Sequence, residues 1–305
     1  MINLNLNSNA TTKSEHPLLD QKGNLGKRKL KSYIFAFMCF LATVSVIGLI
    51  AYLILDTYLQ GSAWINADFF TNFASRMPNK SGIKAALFGT IWLLGITALF
   101  SIPVGVISGI YLEELMKRGY FHRFISVNVS NLAGVPSVVY GIFGLAFFVR
   151  MLGFERSLLS GALTLSLMSL PVIIISTREA IAAVPSSIKM GALAMGATKW
   201  QTARDHIFPT ALPGILTGVI LALSRAVGET APLIILGAVS FLAFVPQGWN
   251  DGYTALPMQI YTWVSKPQEE FHQLAAATII VLLGVLLVAN SIAIFIRIRS
   301  RKVKL

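Results

Sequence analysis

Six continuous apolar segments, each about 20 residues long or longer, dominate this sequence of 305 residues. Segments of this length suit a bilayer-spanning helix and exceed the apolar core of a cleaved secretion signal. They do not alternate in polarity, which favours helices over the strands of a membrane barrel. The predicted spans are Tyr33–Leu55, Ala85–Leu112, Phe124–Val149, Leu158–Thr177, Leu212–Val239 and His272–Ile296. The sequence therefore predicts an all-α polytopic membrane protein with six transmembrane helices.

The charge distribution predicts the orientation of these spans. The net charge of +12 is compatible with nucleic-acid binding or with Lys and Arg residues concentrated in cytoplasmic loops. With a cytoplasmic amino terminus, the inner pieces 1–32, 113–123, 178–211 and 297–305 hold eighteen Lys and Arg residues, and the outer pieces hold six. This bias predicts that both termini are cytoplasmic, and it accounts for the basic composition without a nucleic-acid partner.

Polarity also divides the chain into three regions. Residues 1–32 are polar, basic and rich in Asn, and are predicted to form a flexible cytoplasmic tail. Residues 33–297 form the transmembrane domain with a long cytoplasmic loop at 178–211, and residues 298–305 form a basic cytoplasmic tail. Cys39 is the single cysteine, which excludes an intrachain disulfide and a multi-cysteine metal site.

Small residues and prolines indicate how the spans pack. Two glycine pairs with four-residue spacing, Gly105/Gly109 and Gly214/Gly218, would let neighbouring helices approach closely. Three prolines within the predicted spans mark kinks or partly broken helices: Pro103, Pro136 and Pro171.

A charged pair lies inside the fifth predicted span. Arg225 and Glu229 are four residues apart, so they share one helical face. Each charge costs about 2.5–3.5 kcal/mol at the centre of a bilayer by insertion scales. Counted from Leu212, Arg225 lies about 20 Å into the span, too deep to reach the nearer surface. Either the guanidinium contacts an anion on its path while Glu229 holds it in place, or the two side chains form a buried ion pair that fixes helix packing.

The cytoplasmic loop contains a predicted short helix near 186–197. Pro185 precedes Ser186 and Ser187, whose hydroxyls could cap the free amides at its start. Its surface consists mostly of small residues, so it could dock in a groove on another protein or lie on the bilayer.

The motifs of several enzyme classes are missing. The segment Gly191–Gly196 is the nearest match to a phosphate-binding loop, but it lacks the required lysine, so ATP hydrolysis is not expected here. The four histidines are scattered, and none pairs with another at the spacing of a metal site. Glu113 and Glu114, at the end of the second span, are interpreted as a solvated helix end rather than a catalytic pair.

The loop resembles the EAA loop of ABC importer permeases, whose pattern is Glu-Ala-Ala, three residues, Gly, nine residues and Ile-x-Leu-Pro. Gly196 takes the glycine position and Pro209 the proline, while Met190 replaces the acidic residue. The resemblance implies that the short helix seats in a cleft of an ATPase subunit. The residues it assigns to this coupling contact are Ser187, Met190, Gly191, Ala192, Gly196, Ala197 and Lys199.

Three segments resemble the PstA-type permease subunits of phosphate-specific (Pst) ABC transporters. They are Asn131–Gly141, the loop at 178–211 and Ser224–Leu233. PstA-type subunits belong to the binding-protein-dependent importer permeases. The resemblance covers roughly residues 85–300 and implies that inorganic phosphate passes Arg225, Glu229 and Thr230.

The same resemblance implies the partners and the location. It implies a heterodimer with a sister permease, two copies of an ATPase subunit that use ATP and Mg²⁺, and no cofactor bound by this chain. An external phosphate-binding protein would deliver substrate to the outer loops near 56–84 and 241–271, at the inner membrane of a bacterial cell. The alternative is an ion-coupled secondary anion transporter or channel, although the chain has no convincing internal repeat of the kind that such carriers often contain.

Overall fold

A computed structural model describes residues 25–238 and 241–302, and all regular structure among them is helical. The chain divides into two compact units, Met1–Asp56 and Thr57–Leu305. The helices among the described residues are α1 (Leu25–Gly61), α2 (Ala67–Thr71), α3 (Lys84–Ile110), α4 (Tyr120–Ala133), α5 (Ser137–Gly144), α6 (Leu158–Ala182), α7 (Ser186–Ala194), α8 (Lys199–Gln201), α9 (Phe208–Gly228), α10 (Ala231–Leu236), α11 (Leu256–Val264) and α12 (Glu269–Lys302).

Five described helices are long and apolar enough to cross a membrane, and a bent helix pair brings the number to six if the pair counts as one span. The five are Arg28–Trp64, Lys84–Leu115, Leu158–Ala182, Lys199–Gly228 and Glu269–Arg299. These elements overlap the six apolar segments of the sequence, and the predicted fold class is confirmed.

The terminal helices extend beyond their predicted spans. Helix α1 begins at Leu25, inside the predicted tail 1–32, and residues 1–24 lie outside the described residues. Helix α12 continues to Lys302, so most of the predicted tail 298–305 extends the last helix.

The third predicted span is not continuous. Helices α4 and α5 meet at an angle of 102° across a short break. Pro136 stands at the start of α5, where its missing amide proton ends the hydrogen-bond ladder of α4. The hydroxyl of Tyr140 donates a hydrogen bond of 2.7 Å to the Leu132 carbonyl and so ties the two arms together. The predicted break at Pro136 is therefore confirmed, whereas a single helix over Phe124–Val149 is wrong.

The fifth predicted span is displaced towards the amino terminus. Helix α8, a π-helical turn at Thr202–Ile207 and helix α9 run on without interruption, so the helix begins at Lys199 rather than at Leu212. It ends at Gly228, and α10 is a separate short helix. Because α6 continues to Ala182, the connection predicted at 178–211 shrinks to the residues around α7.

Helix α6 lies at the centre of the second unit, packed between α3 and α9. A Cβ atom at Gly105 or Gly109 of α3 would clash with an α6 side chain, as would one at Gly214 or Gly218 of α9. The close approach predicted from both glycine pairs is thus confirmed, and both pairs face the same helix.

The two ends of the second unit differ in construction. At one end, α3 is followed by a π-helical turn at Tyr111–Leu115 that contacts α7. At the opposite end, where α3 begins, α2 and α11 pack with α3 and α12 around Phe69, Trp263 and Phe271, all fully or almost fully buried. Residues 241–255 between α10 and α11 are irregular.

Candidate functional site

The charged pair stands at a helix break. Arg225 occupies the last turn of α9, and Glu229 is the first residue beyond it, with an extended backbone. Pro232 lies in the first turn of α10, where a missing amide proton costs nothing. A helix carboxyl end favours a cation and a helix amino end favours an anion, so the break suits both charges. Arg225 therefore lies near the end of a helix, not within a continuous span as the sequence suggested.

The pair is not sealed within the described chain. Arg225 Nε donates a hydrogen bond of 3.2 Å to Glu229 Oε1. The side chain of Arg225 is 51% exposed and that of Glu229 is 18% exposed. A guanidinium has five N–H donors, and the hydrogen bond to Glu229 uses only the one on Nε, so the half-exposed side chain of Arg225 keeps donors for a further partner.

Neighbouring helices hold the break in place. The hydroxyl of Ser224 donates a hydrogen bond of 2.6 Å to Asn290 Oδ1 and so joins the end of α9 to α12. On the other side Pro232 packs so closely on Gly141 of α5 that a Cβ atom at this glycine would meet it at 2.8 Å. Thr230 is half-buried, and its carbonyl accepts a hydrogen bond from the Ile234 amide at the start of α10.

A cavity of about 350 Å³ lies nearby, between α3, α9 and α12. Ser224 and Asn290 line it, but its other lining side chains are almost all apolar, and Arg225 and Glu229 are not among them. Its walls could not replace the water around an anion, so this cavity does not belong to the charged site.

Helix α7 presents apolar side chains to solvent. Met190 is 66% exposed, and Met195 just after the helix is 88% exposed. Trp200, at the start of the next helix, is also exposed. Of the residues assigned to coupling, Ala192 is buried, Ala197 is half-buried, and Ser187, Met190, Gly191, Gly196 and Lys199 are exposed. The small-residue surface predicted from the sequence is in fact flanked by large flexible side chains.

Gly196 reverses the chain after α7. Its φ is +87°, in the left-handed region that favours glycine. Ala197 N donates to Ala192 O at 3.1 Å, and Gly196 N donates to Leu193 O at 3.0 Å. These two hydrogen bonds are typical of a helix that ends at a glycine. Apart from its neighbours in the chain, no heavy atom of the described residues would come within 4 Å of a Cβ atom at this glycine. Backbone conformation, not lack of space, therefore accounts for a glycine here.

The predicted serine caps of α7 are wrong. Pro185 occupies the capping position with no side-chain hydrogen bond, and Ser186 and Ser187 are the first two helical residues. A capping hydroxyl must precede the helix to reach its free amides, so serines inside the first turn cannot serve. The next helix is capped as expected of a Thr-x-x-Gln sequence, because Thr198 and Gln201 exchange hydrogen bonds.

Glu113 and Glu114 form an ionic cluster with α6 and α7. Glu114 Oε2 lies 2.5 Å from Nζ of Lys189 on α7, while Glu113 lies 3.2 Å from Arg178 Nε and 3.5 Å from Arg118. The two glutamate side chains are only 11% and 15% exposed. The interpretation of these residues as a solvated helix end is therefore wrong: Glu114 joins the end of α3 to α7, and Glu113 joins it to α6.

This cluster was missed because the sequence does not reveal how α7 folds back. Two adjacent carboxylates, and a lysine on a helix predicted to be cytoplasmic, were the available signals. Within residues 25–238 and 241–302, no group of three His, Cys, Asp or Glu residues is placed to hold a metal ion.

The arrangement of spans defines the class of protein. The chain shares its fold with a chain in the crystal structure of a bacterial alginate ABC transporter in complex with alginate pentasaccharide-bound periplasmic protein. The TM-score is 0.63 at 17% identity, with 88% of this chain and 96% of that chain covered. The fold is thus that of ABC importer membrane subunits.

The chain belongs to the binding-protein-dependent transport system inner membrane components, because the sequence model of that family matches residues 101–304. It is 32% identical to the probable ABC transporter permease protein YqgI of Bacillus subtilis, over 76% of this chain and 78% of the relative. It is 33% identical to the phosphate transport system permease protein PstA 1 of Mycobacterium tuberculosis, over 73% of each.

These similarities confirm the resemblance that the sequence motifs carry. The chain is a multi-pass inner-membrane permease subunit of an ABC importer, a membrane component rather than the catalytic one. The alternative of an ion-coupled carrier or channel is therefore set aside.

Proposed function

We propose that this chain is the permease subunit through which an ATP-driven importer carries inorganic phosphate across the inner membrane. The observation that carries the proposal is Arg225, whose guanidinium is half-exposed at a helix break and shares only part of its donors with Glu229. The relative from Mycobacterium tuberculosis is a phosphate permease by name, whereas the name of the one from Bacillus subtilis specifies no substrate.

Arg225 and Glu229 have different roles in the brief binding of an anion. The outer nitrogens of the guanidinium match two phosphate oxygens with paired donors. Glu229 fixes the orientation through Nε and repels a second negative charge, so phosphate binds without being trapped. Thr230 follows directly and offers a hydroxyl beside the path.

Because the side chain of Arg225 is half-exposed, a second protein surface must close the passage beside it. A sister permease completes the passage in a heterodimer, which explains how one chain alone can leave an intramembrane arginine so exposed. Alternating access is then a rocking of the two permeases against each other.

Helix α7 receives the force that drives this motion. Two ATPase subunits bind ATP and Mg²⁺, which this chain does not bind itself, and each seats a docking helix in a cleft. Here Met190 and Met195 supply apolar contact in place of the family's acidic residue. The pair of Lys189 and Glu114 then passes movement of α7 to α3.

The orientation follows from the Lys and Arg bias. We place α7, both termini and the tails on the cytoplasmic side of a bacterial inner membrane. The opposite end of the second unit, with α2 and α11, then faces outwards. An external phosphate-binding protein docks there, on the segments 56–84 and 241–271.

The test is radiolabelled phosphate uptake in a strain that lacks this chain and carries Arg225→Gln or Glu229→Gln from a plasmid. A hydrogen bond to a charged group is worth about 1.5–3 kcal/mol, so Arg225→Gln is expected to lower uptake roughly tenfold or more. Sulfate uptake by its own system serves as the control, and the amount of assembled transporter is measured alongside. Wild-type uptake by both variants would remove the pair from the pathway.

A further inference from the structure

A second cavity, lined by both polar and apolar residues, lies at the end of the second unit opposite α7. It has a volume of about 300 Å³ and opens between the segment before α3 and the helix α11. Arg76 and Lys266 line it together with Ser75, Gln259 and Thr262, and no carboxylate is among its lining residues. Each water occupies about 30 Å³ of liquid, so the cavity has room for a small ion with several waters.

Its two cations are not neutralised by the described chain. Neither Arg76 nor Lys266 forms an ion pair with a carboxylate among residues 25–238 and 241–302. The ammonium of Lys266 lies 3.6 Å from the centre of the Phe271 ring, a cation–π contact that does not neutralise its charge. Partial burial lowers the pKa of Lys266, so an anion placed beside it would recover lost solvation.

A buried amide in the same wall lacks a partner. Gln259 is 2% exposed, yet its Nε2 makes no hydrogen bond within the described part of the chain. Buried polar groups are nearly always paired, so an unpaired one needs an explanation. The two ends of a carboxamide exchange by a half-turn. Since Nε2 is inaccessible in this orientation, an oxyanion in the cavity would accept its hydrogen bond after that half-turn.

We propose that Arg76, Lys266 and Gln259 form an outer binding site for inorganic phosphate, which occupies it before it reaches Arg225. The choice of phosphate among small oxyanions rests on the proposed function. The site lies between the two segments to which the external binding protein is assigned. Released phosphate is thereby held near the entrance instead of returning to solution.

The experiment measures phosphate binding to a chain in which the site at Arg225 has been removed by mutation. The full chain carrying Arg225→Gln is reconstituted in nanodiscs of uncharged lipid, and radiolabelled phosphate is titrated by equilibrium dialysis. One saturable site is expected. Adding Arg76→Gln with Lys266→Gln is expected to weaken binding at least roughly tenfold, because two charge-assisted contacts are lost. Gln259→Leu is expected to weaken it by a smaller factor.

Lys80→Gln is the matched control, because Lys80 is an exposed cation of the same region that does not line the cavity. It should leave the dissociation constant unchanged, and chloride at equal ionic strength should not displace phosphate. The proposal is overturned if no saturable site remains in the Arg225→Gln chain, if Lys80→Gln weakens binding as much as the double variant, or if chloride competes equally. Wild-type uptake by Arg225→Gln would instead count against the proposed function and would leave this titration intact.

Discussion

At the scale of single residues, opposite charges serve two different purposes in this chain. Arg225 and Glu229 are partly exposed, so their pairing leaves the guanidinium available to a further anion. Glu114 is nearly covered by its surroundings, and its contact with Lys189 fastens one helix to another. The exposed fraction of the side chains, not the presence of charge, separates a candidate binding group from a structural attachment.

The attachment of α7 can be tested by exchanging its charges. Glu114→Lys should lower phosphate uptake several-fold, because like charges would then face each other, and combining it with Lys189→Glu should restore most of the uptake. Since Lys189 is 42% exposed, removing the pair by Glu114→Gln should cost only about 1 kcal/mol of stability. Glu179→Gln, at an exposed carboxylate near the end of α6, is the control. Failure of the exchanged pair to recover uptake would refute the attachment.

At the scale of elements, breaks in helices carry the candidate functional groups. The charged pair lies at the break between α9 and α10, and α7 ends at a glycine with a left-handed backbone. Both breaks follow local rules, since Pro232 stops one helix and restarts another, and Gly196 closes the turn after α7.

The turn after α7 gives a prediction about conformation alone. Gly196→Ala should destabilise the chain by about 1–2 kcal/mol, because a side chain disfavours the left-handed region even where space is free. Thermal unfolding of the purified chain measures this change, and ATPase binding should weaken with it. Gly284→Ala, the same change at an uncrowded glycine within α12, should be neutral or slightly stabilising. Equal behaviour of the two variants would contradict the conformational argument.

At the scale of the whole molecule, the existence of the spans was predictable and their limits were not. The thickness of a bilayer sets the length of an apolar run, so each of the six runs reappears as a span or a bent pair. Helix ends outside the hydrocarbon carry no such signal. The helix that begins at Lys199 starts with polar turns containing Arg204 and Asp205, which hydropathy assigned to the loop.

The candidate site was predictable only in part. Intramembrane charges are costly enough for Arg225 and Glu229 to stand out from the sequence. The contacts of Glu113 and Glu114 depend on where α7 folds back, which no local pattern encodes. The cavity beside Arg76 and Lys266 joins residues far apart in the chain and was equally invisible.

Assembly of the whole transporter gives a last prediction. Deleting residues 186–200 should abolish co-purification with the ATPase subunit while the chain still inserts in the membrane. The milder variant Met195→Asp should weaken the same interaction, because it places a charge at the position of the most exposed large apolar side chain among residues 186–200. Met77→Asp makes the same change at an exposed methionine of the opposite end and should leave ATPase binding unchanged. ATPase retention by the deletion variant would exclude α7 as the docking element.

Helix α3 begins close after Arg76 and leads, at its other end, to Glu114. A single helix of this kind connects the two ends of the second unit. Linkage is reciprocal: if seating the nucleotide-binding subunit changes the dissociation constant of an external anion by some factor, that anion must change the affinity for the seated subunit by the same factor. Occupancy of the proposed outer site would then alter the affinity of α7 for the proposed ATPase subunit.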